Sequence, residues 1–224
     1  MRLAVFGATG GTGRAMIQAA LGHGHEVTAF ARAAGKVPPA PGLRVIQGDA
    51  TRRVDVAAAI DGQDAVVVSL GNSQNPFARM VGVRRTTPRD VCEVGTRHIL
   101  EALAEGQAAG QAVRLIIIGA FGTGATLPQL SFMFKMFYRL VLRKQMADKE
   151  RQVAVLEAST APYTLIQPLA LTDKAAAGRW TATRDGSYGA VEVSRLDLAQ
   201  FVMQHLESGA DTGADTGEVI TFSG

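Results

Sequence analysis

Apolar runs short enough to be strands alternate with amphipathic stretches along the chain, and most of these runs close on glycine, proline or aspartate. Arg2–Phe6 reads as a first strand. It is followed by a helix with Ala15, Met16, Ala19 and Ala20 on its apolar face, ending at Gly22-His23-Gly24. His25–Ala31 reads as a second strand, and Leu43–Gln47, beyond the loop at Pro38-Pro39-Ala40-Pro41, as a third. Asp55–Ile60 is a short helix, and Asp64–Leu70 is apolar enough for a central strand covered on both faces. A polar loop from Gly71 to Pro88 leads to a long helix, Asp90–Ala104, and then to a fifth strand, Val113–Ile118.

Within the aromatic segment Leu127–Leu142 the run Leu130–Leu142 reads as a lid, because Lys135 and Arg139 interrupt it short of the ~18 apolar residues that a membrane span needs. A helix over Met146–Ser159 and a sixth strand, Tyr163–Gln167, follow, with Pro168 as the stop. Short strands at Arg179–Thr183 and Ala190–Val193 flank Asp185-Gly186, before a helix at Leu196–Leu206 and a last strand at Val219–Phe222. Asp211–Gly217, a small-residue duplication, reads as a mobile loop. Strand–helix alternation of this kind builds parallel βαβ units. The expected fold is therefore α/β: a doubly wound parallel sheet (Rossmann fold) of six or seven strands, with helices on both faces and a small C-terminal substrate or lid region. One domain over residues 1–224 is expected, its substrate side drawn mainly from 119–145 and 168–195.

Chemistry enters where the first strand runs into Gly7-Ala8-Thr9-Gly10-Gly11-Thr12-Gly13. Glycines between a buried strand and a helix start let backbone N–H groups approach a diphosphate, and the helix N-terminus adds its partial positive charge. The Gly7-x-x-Gly10-x-x-Gly13 spacing differs from the common G-x-G-x-x-G dinucleotide fingerprint. A glycine-rich turn serving structure alone is the competing reading.

Composition narrows the classes. A charge of +3 and a pI near 9.3 come from scattered Lys and Arg, with no stripe of the kind nucleic acid needs. One cysteine, Cys92, excludes an internal disulfide framework and multi-cysteine metal sites, which suits a reducing, cytoplasmic setting. The N-terminus has no basic-then-apolar leader, and neither a membrane nor a metal is expected. His23 and His25 at a helix end read as dipole-complementing caps, ahead of metal ligation as the alternative. Cys92 reads as a packing residue, and Asp148, Glu150 and Arg151 as a solvated helix face. Arg184 and Arg195 are candidates for meeting an anionic substrate.

Taken with Gly48-Asp49-Ala50-Thr51, the stretch Gly62–Gly71 and the stretch Tyr163–Asp173, the glycine turn resembles the atypical short-chain dehydrogenase/reductases. Within them the chain is most similar to the biliverdin reductase B / flavin reductase branch of the NAD(P)H-binding, NmrA-like proteins. The resemblance implies a phosphate turn at Gly7, Thr9, Gly10, Gly11, Thr12 and Gly13. It also implies an adenosine side at Asp49, Ala50, Leu70 and Gly71, Asp49 accepting from the adenine amino group or else capping the next helix. Arg32 matches the arginine for a 2′-phosphate. No acid ends the second strand to hold a ribose 2′-hydroxyl, so NADP(H) is expected.

On the nicotinamide side the resemblance implies Gly119, Ala120, Lys149, Pro168, Leu169 and Ala170. Cys92 matches an apolar position beside the cofactor. The Tyr-x-x-x-Lys pair of ordinary short-chain dehydrogenases is missing: Leu142 follows Tyr138 and Gln167 follows Tyr163 at that spacing. Gly119 and Ala170 stand where the branch has a Ser and a His, and Lys149, the one catalytic candidate, stands at a cofactor-side His.

Phe121, Phe132, Phe134 and Trp180 are candidates for an apolar wall around a flat acceptor, with simple packing as the alternative. The leading expectation is an NADPH-dependent reductase of a flavin- or quinone-like acceptor, acting as a monomer or small homo-oligomer. A non-catalytic NADP-binding sensor with a protein partner comes second, and a nucleotide-sugar epimerase or dehydratase last.

Overall fold

A computed structural model describes residues 1–71, 87–108, 110–130, 136, 143–209 and 217–224. Phe132, Phe134, Tyr138 and most of the expected lid lie outside them, as does all but the end of the Asp211–Gly217 duplication. The strands are β1 (Arg2–Phe6), β2 (Glu26–Ala31), β3 (Leu43–Gln47), β4 (Ala65–Val68), β5 (Arg114–Ile118), β6 (Thr164–Pro168), β7 (Ala170–Thr172), β8 (Thr181–Thr183), β9 (Glu192–Ser194) and β10 (Glu218–Ser223). The helices are α1 (Gly11–Gly22), α2 (Arg53–Ile60), α3 (Val91–Ala108), α4 (Arg143–Glu157) and α5 (Arg195–Glu207).

The main sheet has the order β3-β2-β1-β4-β5-β6-β10-β8, parallel throughout except for β8, which runs antiparallel along β10. Alternation along each strand divides the core in two. Leu3 and Val5 face α1 and α5 together with Val67, Ile116, Ile166 and Phe222. Ala4 and Phe6 face the opposite layer with Val66, Val68, Ile117 and residues of α2, α3 and α4. The expected doubly wound sheet is therefore present, with its order reversing between β1 and β4, where such sheets leave a crevice at the strands' carboxyl ends.

The C-terminal third differs from expectation. The two short strands expected around Asp185-Gly186 are present, but in different sheets: β8 extends the main sheet, whereas β9 pairs in parallel with β7 in a separate small one. Pro168 ends β6 from inside it, and β7, a strand the pattern did not single out, begins two residues later. Short elements are placed by their partners, which local alternation does not encode.

Asp148 is the clearest correction on the helices. It is buried, not solvated: Oδ2 accepts from the backbone N–H of Cys92 at 3.1 Å and Oδ1 from that of Glu93 at 3.2 Å. A carboxylate on α4 thus caps the first turn of α3, satisfying orphan donors and complementing the dipole. Asp148→Ala is expected to lower unfolding free energy by about 1–3 kcal/mol in a urea titration. A loss under about 0.3 kcal/mol would remove this cap from the account. Cys92 is held in the same place, its thiol donating to Leu70 O at 3.3 Å and pushed up by burial to about 12, so it is a packing group and no nucleophile. No described helix is long and apolar enough to cross a membrane.

Candidate functional site

A cleft of about 280 Å³ opens at the carboxyl ends of β1 to β5, across the order reversal. Its floor is the turn after β1. Gly7 has φ +85°, and a Cβ there would come 2.4 Å from Ser69 O. Gly10 N–H closes the turn on Gly7 O at 3.0 Å, and Arg14 Nη1 donates to Thr9 O at 2.6 Å. The helix this turn starts has no side-chain cap at Gly10 and no acid in its first turn. Its leading N–H groups and dipole therefore face a cleft lined by Gly10, Gly11 and Thr12, with no acid of the helix's own first turn to meet them. Gly13 does not line the cleft. A Cβ there would lie 2.2 Å from Gly7 O, so its role is to let α1 approach the turn.

One end of the cleft is formed by the loops after β2, β3 and β4. Arg32 reaches in just beyond β2, Nη2 donating to Thr87 Oγ1 at 2.9 Å. Asp49 and Ala50 line it beside Gly48, Phe30, Leu70, Gly71 and Val91. Asp49 does not cap α2. Its Oδ1 accepts from the N–H and hydroxyl of Thr51, at 2.9 and 2.8 Å, a local turn ahead of a helix whose N-cap is Arg52. Gly95 lets α3 close on this pocket, since a Cβ there would meet Leu70 Cδ1 at 2.6 Å and Ala50 Cβ at 3.2 Å.

At the other end stand Ile118, Gly119, Lys149, Leu171 and Arg195. Lys149 is half-buried, and Nζ donates to Ile118 O at 2.8 Å and to Gln152 Oε1 at 3.0 Å. An ammonium has three protons, so this one is pinned at the end of β5 with a donor left over. Arg195 begins α5 and stands over the glycine turn: a Cβ on Gly11 would sit 3.0 Å from its Nε. Asp173 Oδ1 accepts from its Nη1 at 2.8 Å and holds it there. Arg184, the other arginine singled out, is spent on an ion pair with Glu218 away from the cleft. With Arg32, Lys149 and Arg195 against Asp49, the lining is net positive and suits an anionic ligand.

Several expected positions are not brought together here. Ala120, Pro168, Leu169 and Ala170 do not line the cleft; Leu169 and Ala170 donate their N–H groups to Phe222 O and Val191 O, in the junction between β6 and β7. Phe121 is buried edge-to-face against Tyr188, ring centroids 5.3 Å apart. Trp180 packs on Phe201 and Phe222 under α5, each at 6.2 Å, so it belongs to the core and not to an acceptor wall. Tyr163 precedes β6 at the sheet's amino edge, remote from the cleft. Phe30, Thr87, Val91, Ile118 and Leu171 escaped the sequence reading. Phe30, Ile118 and Leu171 carry the signal of a place near the end of a parallel strand, whereas Thr87 and Val91 enter the cleft at the start of α3 with no such signal.

Residues 7–208 match the family model described as NAD(P)H-binding. Among solved structures the fold is similar to the oxidoreductase ylbE from Lactococcus lactis, at 18% identity and TM-score 0.76, covering 100% of this chain and 90% of that one. It is also similar to a wide-type short-chain dehydrogenase/reductase from Veillonella parvula in complex with NADP, at 14% identity and TM-score 0.76, covering 100% and 94%. A third is ChuY, an anaerobillin reductase from Escherichia coli O157:H7, at 22% identity and TM-score 0.70, covering 100% and 97%. At these identities the likeness is one of fold.

Proposed function

Because the chain belongs to the NAD(P)H-binding family, we propose that it is an NADPH-dependent reductase whose acceptor is a flat conjugated ring system of the flavin or quinone kind. The observation that carries this reading is the run of cationic and N–H donors along one cleft: Arg32, the uncapped start of α1, Arg195 and Lys149. The α1 N–H groups and Arg195 suit a diphosphate. Arg32, with Thr87 steadying its guanidinium, suits a phosphate on the adenosine ribose. Asp49, Ala50, Leu70 and the space beside Gly71 suit the adenosine.

When bound, reduced nicotinamide supplies a hydride. The chain's share is to position that ring and the acceptor and to keep the site stocked with positive charge. Among the described residues lining the cleft there is no tyrosine and no histidine. Lys149 is the one ammonium, and we assign it the nicotinamide ribose and the electrostatics of the reduced acceptor. A conjugated ring that takes a hydride needs only one proton more, which solvent can deliver, so loss of the Tyr-x-x-x-Lys pair is compatible with this chemistry. Lys149→Met is expected to lower kcat/KM for NADPH oxidation by roughly tenfold or more, the worth of a charge-assisted hydrogen bond. A change within about twofold would take Lys149 out of the site.

The reading is tested by adding FMN, riboflavin, several quinones and a linear tetrapyrrole to purified protein with NADPH. Loss of absorbance at the nicotinamide band with at least one of them is expected. Tight NADPH binding with no turnover would favour the second reading, a cofactor-binding sensor. Gly119 favours that reading, as a site residue with no proton to give: a Cβ there would already meet Leu165 Cδ1 at 2.8 Å. A nucleotide-sugar epimerase or dehydratase ranks last, since no Tyr–Lys pair faces the cleft among the described residues.

A further inference from the structure

At the opposite edge of the sheet, about 18 Å along α1 from the glycine turn by the helical rise, three metal-ligating side chains converge. His23 and His25 flank Gly24, whose φ of +75° turns the chain from α1 into β2. Glu207 is the last residue of α5. His23 Nδ1 lies 2.9 Å and His25 Nε2 3.1 Å from Glu207 Oε1, and one ligand atom from each residue lies within 4.8 Å of the other two. The histidines were expected to complement the α1 dipole. Instead the end of α1 is closed by backbone bonds, His23 N–H to Ala19 O and His25 N–H to Ala20 O, and both imidazoles turn towards α5.

We propose that His23 Nδ1, His25 Nε2 and Glu207 Oε1 form a binding site for a divalent first-row transition-metal ion of the zinc type, with a fourth position open to water. Two independent features point to a ligand. The His25 side chain is only 8% exposed, yet its Nε2 has no hydrogen-bond partner: it faces Glu207 at ion-pair distance without the alignment a hydrogen bond requires. A buried nitrogen that faces a carboxylate without bonding it is a donor atom to spare for a cation set to one side of the pair. His23, for its part, has the outer support of a metal ligand. Its Nε2 is 3.0 Å from Gln200 Oε1, and an N–H donated there leaves Nδ1 as the lone-pair nitrogen facing Glu207. Without a cation, Nδ1 must carry a second proton to face that carboxylate favourably.

Two neutral imidazoles and one carboxylate are the donor set of open zinc sites, and tetrahedral coordination wants ligand atoms about 3.3–3.5 Å apart. The two nitrogen–oxygen separations need to open by only a few tenths of an ångström. The Met1 amino group lies 3.5 Å from His25 Nδ1, the ring nitrogen turned away from Glu207.

The test uses untagged, chelator-stripped protein titrated with cobalt(II) by visible absorption and with zinc(II) by calorimetry. One equivalent should bind, with the d–d bands of four- or five-coordinate cobalt and displacement by zinc. His25→Ala and Glu207→Gln should each weaken cobalt binding at least tenfold, and Gln200→Ala, which touches no metal, about tenfold through His23. The surface variant His23→Ala should abolish the bands while NADPH binding stays unchanged, which separates loss of the site from loss of the fold. Absence of bands and of heat, or bands that survive in a His23→Ala/His25→Ala double variant, would overturn the proposal. Because the readout is the metal spectrum, its failure leaves the reductase reading untouched.

Discussion

Arg32→Ala is expected to weaken NADPH binding by about 30- to 100-fold while leaving NADH within about threefold, as measured by fluorescence titration of both nucleotides. The magnitude follows from removing a pair of charge-assisted hydrogen bonds to a 2′-phosphate, a net loss of about 2–3 kcal/mol. The asymmetry follows from position. Arg32 comes directly after β2, where an acid holding a ribose 2′-hydroxyl would stand in an NAD-selective chain, and here β2 ends on Phe30-Ala31. Thr87 bonds the guanidinium from the start of the α3 segment, so the side chain is held in the cleft before a ligand arrives. Arg32→Lys should recover only part of the loss, because a point charge cannot fork onto phosphate. Equal losses for the two nucleotides would reject the assignment of NADPH.

Gly13→Ala is expected to abolish measurable nucleotide binding, a loss of more than about 100-fold, and to lower the thermal midpoint by several degrees. The added methyl would sit 2.2 Å from Gly7 O and 3.0 Å from Ala8 Cα. Both are backbone atoms of the turn, and Gly7 is itself pressed against Ser69 O. No rotamer change relieves that contact, so α1 must move away from β1, carrying its N–H groups off the diphosphate position. Gly22→Ala, at the other end of the same helix, meets nothing within 4 Å and serves as the control. Wild-type affinity in Gly13→Ala would mean that the turn is a structural connection and that the anion binds elsewhere.

These two outcomes rest on features that could be read along the chain. A strand ending in spaced glycines ahead of an amphipathic helix is a local arrangement, and Arg32 lies next to its strand. The polypeptide alone therefore indicated where β1, β2 and α1 lie. The end of the cleft after β3 and β4 was equally legible at Asp49, Ala50 and Leu70, which follow closely on those strands and all line it. For the two described residues of the expected acceptor wall, aromatic composition carried no direction. Trp180 and Phe121 are as apolar as any wall would need, yet one packs under α5 and the other against Tyr188.

What the sequence by itself determined was the succession of strands and helices, the parallel doubly wound sheet and the place of the glycine-rich turn between the first strand and helix. Each of these is written in alternation and in glycines within a few residues of one another. Only the tertiary structure decided that Asp148 caps α3, that Arg195 leans over Gly11, that Thr87 steadies Arg32, and that His23 and His25 meet Glu207. All four join residues separated by dozens of positions or more. Their partners are chosen by how layers stack on the sheet, a relation between distant segments that neither periodicity nor local propensity records.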